Sequence, residues 1–246
     1  MRYFFPEINF LQVGREHFHT IHGGDNVFNS FRVIERNKAA KVISTSEIKK
    51  DILDRFISKP NSTLGLNFET PIVMGILNVT PDSFYDGEGS LPDEKFVEKG
   101  LSLLKSGCSI LDVGGESTRP GAREVKVGEE IKRVVGVIKD IKKNSPSAII
   151  SVDTRKAIVA EKALQAGASI VNDISAGSFD KKMFDVVAKH KAGVCLMHSQ
   201  GLPENMQDKP YYENLLLDIY DYLEEKVAEA ESKGISREKI IIDPGI

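Results

Sequence analysis

From residue 72 onward, short apolar runs alternate with segments of helical periodicity, the pattern of repeated βα units around a parallel sheet. Six runs read as strands: 72–77, 109–113, 148–152, 169–171, 193–197 and 239–242. Most are aliphatic or β-branched without alternation, which predicts strands buried on both faces. Helices are predicted near 93–105, 128–143, 155–166, 180–190 and 212–233, the third opening at Thr154 and ending before Gly167. The last carries an apolar stripe through Leu216, Ile219, Leu223 and Val227 at three- and four-residue spacing, which predicts a core-facing side. Residues 1–68 break this rhythm. They are aromatic-rich and loosely patterned, with one helix predicted over 44–58, where Ser44 and Glu47 are spaced as a capping box. We read 1–68 as an N-terminal extension packing on a barrel formed by 69–246.

Each predicted strand ends in a polar residue: Asn78; Asp112 and then Glu116; Asp153; Asn172 and Asp173; His198; and Asp243. In a (β/α) barrel these positions converge on the C-terminal mouth, where substrates bind. One strand-end acid caps the next helix as readily as it binds a ligand. Six in succession, several leading into Gly- or Pro-rich loops, point to a site.

The loops give the site a family. GILNVTPDSF, DVGGESTRPGA, SVDTRK, AGASIVNDISAG, MHSQGLPENMQ and the final IIIDPGI, taken in order, resemble the dihydropteroate synthases from about residue 71 onward. Ser199 departs from the Met often found there. The resemblance implies an α/β TIM (β/α)8 barrel and a transferase that condenses 6-hydroxymethyl-7,8-dihydropterin diphosphate with 4-aminobenzoate. It further implies that Asp243, Asn172 and Asp153 hold the pterin, Met197 lines its face, and Asn78 serves a Mg2+ cofactor on the diphosphate. Thr118 is implied as a substrate contact. Arg119 is implied as a fixed cation and, with Phe84 and Pro120, as part of the aminobenzoate pocket; Asp153, Arg119 and Asp243 are the implied catalytic groups. The chemistry suits these types, because a carboxylate accepts two neighbouring N–H groups in a fork and an amide carbonyl is a hard oxygen ligand. His198 reads as a structural histidine, since an aniline-type amine is already neutral near pH 7 and needs little activation. Another pterin-binding barrel, of the methyltransferase type, could use the same acids, but the TPDSF and ESTRPG loops favour diphosphate departure. A non-catalytic pterin-binding fragment is the other rival.

Composition narrows the partners. The net charge of −3 and pI near 6.0 leave no basic surplus for nucleic acid. MRYFFPEINF is too polar for a secretory signal and no apolar run reaches about 18 residues, so a cytoplasmic protein without a membrane partner is expected. Cys108 and Cys195 suit a reducing compartment as packing residues. His17, His19 and His22 lack a partnering carboxylate pattern, so no metal is expected there. A closed barrel needs eight βα units, typically about 250 residues, and six are read here. Residues 1–246 made alone are therefore expected to be a poor or inactive catalyst, and the full-length protein a homodimer.

Overall fold

The computed structural model describes residues 1–9, 18–59, 62–80, 93–117, 124–200 and 210–245. Two compact units result, Met1–Ser62 with Phe68–Thr70, and Thr63–Asn67 with Pro71–Ile246.

The first unit is a small antiparallel sheet with strands β1 (Tyr3–Asn9), β2 (His19–Thr20), β3 (Val27–Ile34) and β4 (Lys41–Ser44), followed by helix α1 (Lys50–Ile57). β3 is central and pairs with all three others. Its buried Phe28 and Phe31 form an aromatic core whose ring centroids lie 5.1 Å apart, with Phe56 of α1 4.9 Å from Phe31. The Ser44–Glu47 capping box forms, but it caps only a single 3-10 turn, Thr45–Glu47. Ile48 and Lys49 are extended, so α1 starts at Lys50 and not at the cap; the break lets Ile48 join the aromatic core. His22 Nδ1 lies 2.8 Å from the Ser58 carbonyl and the His19 ring packs on Phe28, while His17 lies outside the described residues.

The second unit runs β5 (Met74–Asn78), α2 (Asp93–Lys105), β6 (Ile110–Gly114), α3 (Val127–Asn144), β7 (Ile149–Asp153), α4 (Ala157–Ala166), β8 (Ile170–Asp173), α5 (Met183–Lys189), β9 (Gly193–Met197), α6 (Leu215–Ser232) and β10 (Ile240–Asp243). The strands are parallel in the order β10-β9-β8-β7-β6-β5, and among the described residues the sheet is open. Because side chains alternate across a strand, each strand feeds two layers. Leu77, Leu111, Val113, Ile150, Val152, Val171, Val194 and Leu196 face the helices and join Val134, Val137, Ile138 and Ile141 of α3 in one core. The opposite face begins with a floor of Ile110, Ile149, Ile170, Met74 and Ile241, closed by Leu64 and Leu66.

Three expectations are corrected. The inner strands are buried on both faces, but the two edge strands are not, with Ile76 of β5 65% and Ile242 of β10 57% exposed. Helix α4 opens at Ala157, because Thr154 remains in the preceding turn, accepting from Lys156 N–H; Gly167 closes the helix at φ 116° as expected. On α6 the seam is rotated. Asn214 caps the Leu217 N–H, and Leu217, Leu223 and Ala230 are buried together with the Lys226 stem, whereas Leu216 is 57% exposed.

Candidate functional site

Parallel pairing aligns the strand ends. Asn78 is level with Gly114, Gly114 with Asp153, and Asp153 with Asn172, one register row across four strands. Further round the same mouth, Met197 is level with Asp243. Five of the residues singled out in the sequence, Asn78, Asp153, Asn172, Met197 and Asp243, thus lie at one end of the sheet. Phe84, Thr118, Arg119 and Pro120 lie outside the described residues.

Gly114 matters because it has no side chain. A Cβ there would meet Asp153 Oδ2 at 3.4 Å and Asn78 Oδ1 at 3.5 Å, so both oxygens face the space the glycine leaves. That pair of hard oxygens fits a small divalent cation which keeps water or phosphate oxygens in its remaining positions. Among the described residues no group of three or more His, Cys, Asp or Glu side chains could hold a metal.

One pleat below the rim, Asp112 is buried and its Oδ2 accepts from Asn172 Nδ2 at 3.0 Å. This bond fixes which way the Asn172 amide points, leaving its carbonyl and second N–H to face elsewhere. Asp112 Oδ1 and the neighbouring Ser151 Oγ are buried without a geometric hydrogen bond among the described residues. Burial raises the pKa of Asp112, opposed by its neighbours Ser151 and Asn172. Asp153 is pushed well above the usual carboxylate range, first by burial and then by the charges of Asp112, Glu130, Asp173 and Glu116. Asp243 is shaped by the turn after β10, where its Oδ1 accepts from Gly245 N–H at 2.8 Å. Gly245, at φ 73°, is required there, since a Cβ would lie 2.3 Å from the His198 carbonyl oxygen.

Several residues at this end have other duties. Asp173 caps its own turn, accepting from Ser175 N–H and Gly177 N–H, each at 2.8 Å, and from Ser175 Oγ at 2.6 Å. The His198 ring is enclosed by Tyr222 and Tyr212, and burial lowers its pKa against a hydrogen bond with the Pro244 carbonyl, which suits a structural histidine. Cys195 is pushed up to about 12, chiefly by burial and then by the surrounding aspartates, so it is a poor nucleophile at neutral pH.

Sequence reasoning missed Glu130, Lys156 and the bond between Asp112 and Asn172. Glu130 had a signal: it continues the buried face of α3 through Val134, Val137, Ile138 and Ile141, where an acid is out of place unless paired. Its partners are Thr154 Oγ1 at 2.6 Å and Lys156 Nζ at 2.7 Å.

Residues 74–246 match the family described as pterin binding enzyme. The chain belongs to that family. It is 44% identical over 182 residues to the dihydropteroate synthase of Escherichia coli, an alignment covering 73% of this chain and 63% of that protein. Among solved structures it resembles the Yersinia pestis dihydropteroate synthase in a sulfonamide drug complex, with TM-score 0.68, 41% identity, and 73% of this chain and 65% of that one covered. The Xanthomonas albilineans dihydropteroate synthase with 4-aminobenzoic acid gives TM-score 0.67, 41% identity, and coverages of 73% and 63%. The chain therefore spans just under two thirds of these relatives, which are TIM barrels, and the six-stranded parallel sheet with helices formed by its described residues fits an α/β barrel. No described helix is long and apolar enough to cross a membrane.

Proposed function

We propose that the protein is a dihydropteroate synthase, joining 6-hydroxymethyl-7,8-dihydropterin diphosphate to 4-aminobenzoate with release of pyrophosphate. The observation that carries the reading is the shared mouth, with Asp153 and Asn172 level on adjacent strands, Asn172 braced by Asp112, and Asp243 at the same strand ends. The Escherichia coli and Xanthomonas albilineans relatives support it.

In this reading the aminopyrimidine edge of the pterin donates two N–H bonds in a fork to Asp243, whose second oxygen is free of the Gly245 contact. Asn172 pairs with the ring through the carbonyl and N–H that Asp112 leaves available, Asp153 takes a further ring N–H, and Met197 covers the flat face. The aminobenzoate nitrogen attacks the exocyclic methylene. A C–N bond forms, the C–O bond breaks, pyrophosphate leaves with the electron pair, and the amine loses a proton to solvent. Positive charge developing on the pterin would draw Asp153 toward its ionised form, against the burial and neighbouring acids that raise its pKa, and that carboxylate would in turn favour the charge. Thr118 and Arg119 contact the diphosphate and the aminobenzoate carboxylate, and Phe84 and Pro120 wall the second substrate. Asn78, whose Oδ1 lies beside Asp153, would hold Mg2+, which would neutralise diphosphate charge as a Lewis acid. No covalent enzyme intermediate is invoked. The protein acts in the cytoplasm as a homodimer.

Calorimetric titration with a 7,8-dihydropterin, followed by consumption of 4-aminobenzoate, tests the reading. Pterin binding with a requirement for a corrinoid partner and no use of 4-aminobenzoate would replace it with methyl transfer.

A further inference from the structure

Asp112 stands in the middle of an apolar strand, between Leu111 and Val113, and alternation turns it to the face of the sheet opposite their helix-side core. On that face its register row runs Asp112, Ser151 and Ile170, and the row above runs Gly114, Asp153, Asn172 and Cys195. Asn172 therefore reaches across β7 and one pleat down to meet Asp112, Nδ2 to Oδ2 at 3.0 Å. Ser151 lies between them in the lower row, and its short side chain leaves that passage open. Asp112 Oδ1 and Ser151 Oγ are buried without a geometric hydrogen bond among the described residues, so the carboxyl depends on the Asn172 N–H.

Stability is a weak reason for an acid at this place. Burial opposes its charged form, and that charge adds to burial in opposing the ionisation of Asp153 on the next strand. An apolar residue of similar volume would avoid both costs. What the acid supplies is direction. A carboxylate only accepts, so the amide must turn its nitrogen toward it; turned over, Asn172 would set its carbonyl oxygen against Asp112 Oδ2. A hydrogen bond to a charged group, with that repulsion as the alternative, holds one orientation by about tenfold or more. The amide then keeps one acceptor and one donor, in a fixed order, for whatever meets the strand ends.

We infer that Asp112 is a positioning residue which fixes the order of donor and acceptor on Asn172 and so selects the ring edge that the site accepts. The favoured edge carries an amino N–H beside a bare ring nitrogen, as in a 2-aminopyrimidine. The reversed edge of a 2-oxo ring, an oxygen beside a ring N–H, sets oxygen against oxygen and N–H against N–H. That Asp112 orients the amide stands on the geometry; which ring the amide selects rests on the proposed function.

The test has two arms. The first is neutron diffraction from crystals of the wild-type protein without ligand, which locates the exchanged deuterons. A deuteron on Asn172 Nδ2 pointing at Asp112 Oδ2 is expected; an Asn172 carbonyl turned toward a protonated Asp112 would overturn the inference. The second is calorimetric titration of wild type and Asp112→Asn with 7,8-dihydropterin and with 7,8-dihydrolumazine, which carries oxo and ring N–H where the pterin carries amino and a bare nitrogen. An amide at 112 can give or take a hydrogen bond, so it lets Asn172 turn either way. Wild type should prefer the pterin, and the ratio of the two Kd values should fall about tenfold or more in the variant. Equal weakening of both rings, with the ratio unchanged, would overturn the selecting role and leave Asp112 a structural acid. Should Asp112→Asn not fold, Asp112→Ser, whose hydroxyl also gives or takes a hydrogen bond, is read in the same way. A wild type that binds neither ring would instead sink the proposed function, and diffraction would still decide the orientation.

Discussion

Asp153→Asn should stabilise the protein while weakening its site. The side chain lies among Asp112, Glu130, Asp173 and Glu116, and burial with those charges holds its pKa well above the ordinary 3.8. A carboxyl with a raised folded-state pKa binds protons more tightly in the native than in the unfolded chain. Its contribution to stability is therefore favourable at low pH and falls as pH rises from about the unfolded value through the raised folded one. Asparagine has nearly the same volume, so no cavity forms, and it removes the charge. Relief of a buried, poorly compensated carboxylate is about 1–3 kcal/mol at pH 8. For a chain of this size each kcal/mol moves Tm by about 2–4 °C, giving roughly 2–12 °C. Thermal unfolding of wild type and variant at pH 4 and pH 8 measures this directly. The variant should be the more stable at pH 8, with the two converging at pH 4. A variant less stable than wild type at pH 8, or a difference independent of pH, would refute the reasoning.

Three further outcomes follow from the same geometry. Asn172→Ala and Asp243→Ala should each weaken pterin binding by about 1–3 kcal/mol, since a ring donor or acceptor is left unsatisfied; calorimetry reads this, and an unchanged Kd for Asp243→Ala removes that assignment. Gly114→Ala should fold within about 1 kcal/mol of wild type, because its Cβ makes only ordinary contacts at 3.4 and 3.5 Å, yet it should raise the Mg2+ concentration needed for half-maximal activity by filling the space between Asp153 and Asn78. Arg119→Ala should impair turnover more than pterin binding, its proposed partners being the diphosphate and the aminobenzoate carboxylate; wild-type turnover at saturating substrates would contradict that role.

The βα rhythm was legible because inner strands such as Ile149–Asp153 are buried on both faces and read as unbroken apolar runs. The N-terminal sheet was not. In β1, Pro6 sits beside a register shift between Pro6 and Ile8 that breaks the alternation, and β2 is two residues long. The capping box at Ser44 was read correctly but its helix was not, because the packing of Ile48 overrides local preference. Within the site, strand-end residues could be found one by one, since successive parallel strands deliver their ends to one mouth. Partnerships could not. Asn172 meets Asp112 across 60 residues, Lys156 meets Glu116 across 40, and only the fold brings them within hydrogen-bonding distance.

The decisive measurement is pyrophosphate release from 6-hydroxymethyl-7,8-dihydropterin diphosphate by the purified protein, with mass-spectrometric detection of 7,8-dihydropteroate. Equal amounts of pyrophosphate and dihydropteroate are expected, formed only when 4-aminobenzoate and Mg2+ are both present, with loss of both products in Asp243→Ala. Pterin binding without either product, or pyrophosphate release that ignores 4-aminobenzoate, would contradict it.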